Sequence, residues 1–217
     1  MHSEEKELIA GLIDFGRKAL KKNLIWASSG NISQRLDEKR IIISGSGASL
    51  GELDEYDFVI VQLDSTISDG EIKPSMETMM HLAFYETNKK VKVVFHSQAF
   101  FTTLISCTSL EVDINLFPES MAYIRKIGRV PYHHPGSNEL ADAVGQLAGE
   151  CDCIILSNHG AICGAESLEK VLLETETLEM LCRLNTMANI EKIELNYLPN
   201  DVRDDFLRHL EEIKKID

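Results

Sequence analysis

Apolar residues recur along the chain at two spacings, one typical of helices and the other of strands. From Leu8 to Leu20 they stand three or four residues apart, as on the buried face of an amphipathic helix. The same period returns from Leu168 to Cys182. Spacing and capping residues predict helices at about residues 5–22, 75–88, 137–149 and 167–190, and a final charged helix at about 202–215.

Short runs rich in β-branched residues predict the strands. These runs are residues 41–44, 58–61, 91–95, 153–156 and 161–163. Strands that alternate with helices are typical of a layered α/β domain, and consecutive strands joined by short turns must pair antiparallel. We therefore expect one domain over residues 1–217, a three-layer α/β/α fold with a mainly antiparallel central sheet.

Composition and charge narrow the function classes. The 217 residues are 44 % hydrophobic and 26 % charged, as in an ordinary globular protein. The net charge of −13 disfavours nucleic acid and anionic membranes as partners. Neither a signal segment nor a membrane-spanning run is found, and the five cysteines are an odd number in apolar segments. We expect a cytoplasmic protein with reduced cysteines.

Two small-residue loops are candidates for anion binding. They are Ser28-Ser-Gly-Asn31 and Ser44-Gly-Ser-Gly47, and Ser75 is the expected N-cap of the second helix. Hydroxyl groups, glycine backbone and a helix N-terminus together make a phosphate cradle if they converge. Each loop taken alone is also typical of an ordinary turn.

Three titratable residues stand where a sheet presents side chains to a ligand. His96 follows an apolar strand, His159 lies in an Asn-His-Gly turn between two strands, and Glu77 falls in the first turn of the Ser75 helix. The two histidines are either ligands of one metal or hydrogen-bonded core residues. Glu77 is either a proton shuttle or a solvated residue that stabilises its helix.

The order of these segments along the chain is itself a pattern. It resembles the class II aldolase/adducin head family, which includes fuculose-phosphate aldolases, ribulose-phosphate 4-epimerases and methylthioribulose-phosphate dehydratases. The resemblance extends from about residue 5 to residue 184. The segments that carry it are Ser28-Ser-Gly-Asn-Ile-Ser33, Ile43-Ser-Gly-Ser-Gly47, Lys73-Pro-Ser-Met-Glu77 with Met80-His81-Leu82-Ala83, Val94-Phe-His96 and Asn158-His159-Gly160.

The resemblance implies a role for each matching residue. His96, Gln98 and His159 would bind a divalent metal, most simply Zn²⁺, and Glu77 would be the catalytic acid/base. Gln98 stands where the family has a histidine, and its harder oxygen donor makes Mn²⁺ or Co²⁺ an alternative. The residues that would bind substrate phosphate are Ser28, Gly30, Asn31, Ser46, Gly47 and Ser75.

The resemblance also implies a reaction and an assembly. The reaction is a metal-dependent aldolase cleavage of a small sugar phosphate or related hydroxy-carbonyl compound through an enediolate. Phe117 stands where family aldolases use a tyrosine, so leaving-group protonation is unassigned. A 4-epimerase, a dehydratase and a non-catalytic adducin-like module remain alternatives. We expect a homotetramer, with Leu116, Phe117 and Met121 as interface contributors.

Overall fold

The computed structural model describes residues 3–66 and 72–213, which form seven α-helices and seven strands. The helices are α1 (Ser3–Lys21), α2 (Thr78–Thr87), α3 (Phe100–Ser106), α4 (Pro118–Tyr123), α5 (Asn138–Ala148), α6 (Leu168–Glu191) and α7 (Asn200–Ile213). The strands are β1 (Asn31–Arg35), β2 (Arg40–Ser44), β3 (Phe58–Gln62), β4 (Val93–Ser97), β5 (Ile127–Val130), β6 (Cys153–Leu156) and β7 (Gly160–Ala165).

All seven strands form one sheet in the order β3-β2-β1-β4-β7-β6-β5. Every neighbouring pair is antiparallel except β5 and β6, which are parallel. Because β1 lies beside β4, and β4 beside β7, three segments far apart in sequence meet in the middle of the sheet. The predicted mainly antiparallel α/β fold is confirmed.

Helices cover both faces of the sheet, and each face has its own apolar core. On one face α1, α3 and α6 pack against alternate strand residues such as Ile32, Phe95 and Ile155. On the other face α2 and α5 pack against the intervening residues, among them Val94 and Ile154. This alternation follows from the two-residue period of strands and gives the three layers that the sequence predicts.

Helix α2 begins three residues later than predicted, and Ser75 is not its N-cap. The cap position is Glu77, which makes no side-chain capping bond. The reason lies in the preceding segment, where Pro74 forms a β-bridge with Gly45 and the Ser75 N–H donates to the Ser44 carbonyl at 3.2 Å. This pairing keeps Lys73–Ser75 extended, so the helix starts only after the following turn.

Other boundaries differ from the predictions. His96 lies inside β4, and strand β1 occupies a segment that the sequence suggested was a loop. The end of the predicted helix at 202–215 lies outside the described residues, as do 1–2 and 67–71, so a single domain over 1–217 stays a prediction. Cys107 is exposed, whereas the other four cysteines are buried, and all five are unpaired.

Met121 is buried in the chain's own core, and Leu116 and Phe117 pack against that core. The Met121 side chain is thus already covered within one chain, and a subunit interface around Leu116, Phe117 and Met121 stays a prediction. In the part of the chain that the structure describes, no helix is both long and apolar enough to cross a membrane.

Candidate active site

His96 lies near the end of β4, His159 lies in the turn between β6 and β7, and the two meet at one end of the central strands. His96 pairs with Asn31 on one side of β4, and β7 lies on the other. His159 lies in the tight β6–β7 turn, in which Asn158 has a φ of 57° and Gly160 a φ of 148°. The two imidazole rings are 4.7 Å apart between centroids.

Glu77, at the start of α2, completes a cluster with the two histidines. Its Oε1 is 3.2 Å from His159 Nε2, and its Oε2 is 3.5 Å from His96 Nε2. The three possible ligand atoms all lie within 4.8 Å of one another. Among the histidine, cysteine and carboxylate side chains of the described residues, Glu77, His96 and His159 form a group whose members are close enough together to hold a metal ion.

The surroundings of the two imidazoles favour metal ligation. His96 Nδ1 is 3.0 Å from the Ala161 carbonyl, which only accepts, so Nδ1 donates there and Nε2 is the ring nitrogen that faces Glu77. Burial lowers the pKa of His159 to about 4, the His96 ring lowers it too, and the Glu77 carboxylate opposes both. A neutral imidazole is the form that binds a metal.

Two buried atoms of the cluster lack a hydrogen bond to any described residue. They are Glu77 Oε1 and His159 Nδ1. An unsatisfied buried acceptor costs free energy unless a ligand or water completes it. Two neutral nitrogen donors and one carboxylate suit a divalent cation such as zinc. The residues present therefore fit a metal ion.

Gln98 follows β4 and lies beside the cluster. Its side-chain Nε2 donates to the His159 carbonyl at 3.0 Å, which ties the end of β4 to the β6–β7 turn. The amide thus helps to hold His159 in place. Coordination of a metal by the Gln98 oxygen stays a prediction.

One cavity of about 220 Å³ opens over the cluster. All ten residues that the sequence predicted for the site line it, namely Ser28, Gly30, Asn31, Ser46, Gly47, Ser75, Glu77, His96, Gln98 and His159. Pro135 also lines it, although nothing in its local sequence indicated this. The structure thus brings the predicted residues together around one cavity.

The Ser44–Gly47 loop and the segment before α2 converge because the chain pairs them directly, and the antiparallel pairing of β1 with β2 brings the Ser28–Asn31 loop beside them. The Ser46 N–H donates to the Lys73 carbonyl at 2.9 Å, beside the bridge between Gly45 and Pro74. Since the N–H groups of Ser46 and Ser75 are used in this pairing, their hydroxyls are what they offer a ligand. Gly47 has a φ of 78°, and a Cβ there would meet no atom within 4 Å, so its backbone borders open space.

Asn31 lines the cavity with a side chain that already has protein partners. Its Nδ2 donates to Glu77 Oε2 at 2.8 Å, and its Oδ1 is 2.6 Å from His81 Nε2. Both polar ends of the amide are therefore engaged. This pairing could not be predicted from the sequence, because it joins α2 to β1 and only the fold brings these two elements together.

Four other residues, Phe117, Glu119, His133 and His134, lie away from the cluster. Phe117 and its neighbour Glu119 do not line the cavity, so neither contributes to it within one chain. His133 is half-buried and His134 is exposed, and neither belongs to the metal-sized group.

Similarity to known proteins agrees with the site. The family description "Class II Aldolase and Adducin N-terminal domain" matches residues 10–186. An L-fuculose phosphate aldolase of Methanococcus maripaludis is 35 % identical over 169 residues, covering 77 % of this chain and 90 % of the relative. A 3-oxo-tetronate 4-phosphate decarboxylase of Haemophilus influenzae is 29 % identical over 193 residues, covering 87 % and 90 %.

A solved structure shows the same fold. The Klebsiella pneumoniae protein YgbL, described as an aldolase/epimerase/decarboxylase, superimposes with a TM-score of 0.85 at 28 % identity. The superposition covers 93 % of this chain and 98 % of that one. The family match spans most of the chain and includes every residue of the cavity. The chain belongs to the class II aldolase and adducin N-terminal domain family.

Proposed function

We propose that this protein is a metal-dependent carbon–carbon lyase that acts on a small phosphorylated hydroxy-carbonyl compound. The observation that carries the proposal is the Glu77–His96–His159 cluster at the base of a cavity bordered by serine hydroxyls and glycine backbone. The names of the two relatives support it, since both describe reactions that break a carbon–carbon bond of a phosphorylated compound.

His96 and His159 would hold the cation, with Glu77 as a further oxygen ligand before substrate binds. A divalent ion bound there, Zn²⁺ or alternatively Mn²⁺ or Co²⁺, supplies a Lewis acid for the substrate's carbonyl and neighbouring hydroxyl oxygens. Gln98 would add its oxygen or keep His159 in place through the hydrogen bond it already makes.

The phosphate group would lie against the converging loops. Ser28, Ser46 and Ser75 offer hydroxyls, and Gly47 offers backbone without a side chain in the way. No lysine or arginine lines the cavity in the described chain, so uncharged donors would bind the phosphate. Such donors hold an anion well where backbone can approach closely.

Glu77 would carry the proton of the reaction. When the carbon–carbon bond breaks, its electron pair moves towards the substrate carbonyl and leaves an enediolate. Glu77, buried at the cavity base, would take up a proton from water in the open cavity and deliver it to the carbon that lost its partner. The same step serves an aldol cleavage and a decarboxylation, since the two reactions share the enediolate.

One observation favours decarboxylation as the second candidate reaction. Aldol cleavage also requires a base for the hydroxyl that becomes the aldehyde, and Phe117 stands where family aldolases have a tyrosine. Loss of CO₂ requires no such base, because the departing carboxylate carries no proton to remove. A 3-oxo acid phosphate is thus a substrate class that this chain's residues serve without a further group.

The test is a direct comparison of the two reactions. Metal-loaded protein is incubated with fuculose 1-phosphate and with a 3-oxo-tetronate 4-phosphate, and aldehyde and CO₂ release are measured. We expect one of the two to be turned over, and Glu77→Gln to lower kcat by at least about 100-fold. Glu119→Gln, an exposed carboxylate change outside the cavity, is the matched control and keeps full activity.

The outcomes separate the alternatives. Isomerisation or water loss without bond cleavage would replace the lyase by the epimerase or dehydratase. No turnover of either substrate, together with no metal binding, would leave the non-catalytic adducin-like module.

A further inference from the structure

Five buried side chains are hydrogen-bonded end to end behind the candidate site. Tyr85 OH is 2.8 Å from Ser33 Oγ, and Ser33 Oγ is 2.7 Å from His81 Nδ1. His81 Nε2 is 2.6 Å from Asn31 Oδ1, and Asn31 Nδ2 is 2.8 Å from Glu77 Oε2. This series of hydrogen bonds thus runs from Tyr85, buried between α2 and β1, to the Glu77 carboxylate in the cavity.

Regular spacing on two elements produces this alignment. Glu77, His81 and Tyr85 are four residues apart and share one face of α2. Asn31 and Ser33 are two residues apart and share one face of β1. Because α2 covers that face of the sheet, the two sets of polar side chains interleave in the interior.

The contacts have one consistent donor direction when Glu77 is ionised. A carboxylate only accepts, so Asn31 turns its NH₂ towards Glu77 and its oxygen towards His81. His81 must then donate from Nε2 and accept at Nδ1 from Ser33. Burial lowers the pKa of His81 to about 3, so the ring is neutral near pH 7 and carries a single proton.

We propose that His81 is a positioning residue, which orients the Asn31 amide so that its N–H holds Glu77 through Oε2 and leaves Oε1 facing His159. Without the His81 donor, the Asn31 amide would be held by Glu77 alone, and its oxygen would lose the hydrogen bond that fixes the amide from the other side. The effect on catalysis rests on the proposed function, whereas the orientation itself is a property of the metal-free protein.

A purely apolar interior would pack as well without these groups. Burying polar side chains costs desolvation free energy, which is offset only when each of them has a hydrogen-bond partner. A continuous hydrogen-bonded set in the interior therefore indicates that the orientation of these side chains matters. Ser33 and His81 are fully buried and Asn31 nearly so. Their hydrogen bonds lead to the one carboxylate at the base of the cavity.

The test uses two variants of His81. His81→Phe fills the space without a ring nitrogen, and His81→Gln keeps an N–H donor for Asn31. Phe84→Leu is the matched control, because Phe84 is fully buried on the same helix and lies outside the hydrogen-bonded set. All three are compared with the wild type in metal-free and metal-loaded form.

The first readout needs no activity. Nitrogen-15 NMR of metal-free protein should show His81 protonated on Nε2. Exchange of the Asn31 side-chain N–H protons should accelerate by about fivefold or more in His81→Phe, because one hydrogen bond to the amide is lost. His81→Gln and Phe84→Leu should leave this exchange rate close to that of the wild type.

The second readout is the split between kcat and KM. His81→Phe should lower kcat by about 10- to 100-fold, with KM changed by less than about threefold. His81→Gln should restore most of kcat, and Phe84→Leu should keep it while lowering stability. A proton on His81 Nδ1, or an equal loss of kcat in His81→Phe and Phe84→Leu, would overturn the proposal. Absence of lyase activity in the wild type, with the expected NMR result, would refute the proposed function and leave the positioning of Glu77 supported.

Discussion

Glu174 is a buried carboxyl group in the middle of α6 and does not line the cavity of the candidate site. Its side chain is fully buried, and neither oxygen has a hydrogen-bond partner among the described residues. Lys170, one turn earlier, places Nζ 3.9 Å from Oε1. Burial, helped by the charge of Asp152 and opposed by Lys170, raises the pKa of Glu174 to about 8.

The sign of the resulting pH dependence follows from proton uptake. In the unfolded chain the carboxyl has its ordinary pKa of 4.5. Between pH 4.5 and 8 the folded chain therefore keeps a proton that the unfolded chain releases, so this group lowers the free energy of unfolding as pH rises. At 1.36 kcal/mol per pKa unit, the loss is ~3 kcal/mol at pH 7 and approaches ~5 kcal/mol above pH 8.

Glu174→Gln keeps the shape of the side chain and removes its ionisation. We predict that the variant gains stability relative to the wild type by ~3 kcal/mol between pH 5 and pH 8. Urea unfolding followed by circular dichroism at several pH values, on chelator-treated protein, measures this difference.

Glu191→Gln, an exposed change at the end of the same helix, should show no such gain. If the difference between Glu174→Gln and the wild type stays constant to within ~0.5 kcal/mol over this range, the reasoning is refuted.

Three further predictions concern the site and the assembly. Gly30→Ala should destabilise the fold by ~2 kcal/mol, because φ is 78° and the new Cβ would lie 2.7 Å from the His96 carbonyl oxygen. Gly47→Ala, at the same φ but facing open space, should lower the free energy of unfolding by only ~1 kcal/mol, and it should raise KM for the phosphorylated substrate. Equal unfolding midpoints for Gly30→Ala and Gly47→Ala would contradict this reasoning. Gln98→His should tighten zinc binding in calorimetry, since imidazole is the better zinc donor, and unchanged affinity would argue against a ligand position there. Light scattering should give a tetramer, and a particle of 24.4 kDa would exclude it.

Strands and helices with regular apolar spacing could be predicted from the sequence, whereas β1 could not. The segment Asn31–Arg35 has one strongly apolar residue, Ile32, because Asn31 and Ser33 face the buried hydrogen bonds behind Glu77. Without an apolar alternation the segment is typical of a loop. Its strand conformation depends on pairing with β2 and β4, which only the tertiary structure supplies.

The sequence predicted which residues form the candidate site better than it predicted the hydrogen bonds that they make. The order of motifs indicated Glu77, His96 and His159, and the fold brings them within reach of one ion. The engagement of Asn31 by His81 and of Gln98 by the His159 carbonyl was not predictable, since each joins elements whose relative position the sequence leaves open. The late start of α2 has the same origin, in the pairing of Pro74.

Binding of a divalent cation by Glu77, His96 and His159 is the claim on which the lyase function depends, and calorimetric titration of chelator-stripped protein measures it most directly. We predict one cation per chain in the wild type, and none in His159→Ala. In His133→Ala, a matched change of a half-buried histidine outside the cluster, binding should be unchanged. If zinc, manganese and cobalt all fail to bind the wild type, or if His159→Ala binds them equally well, the metal-dependent function is contradicted.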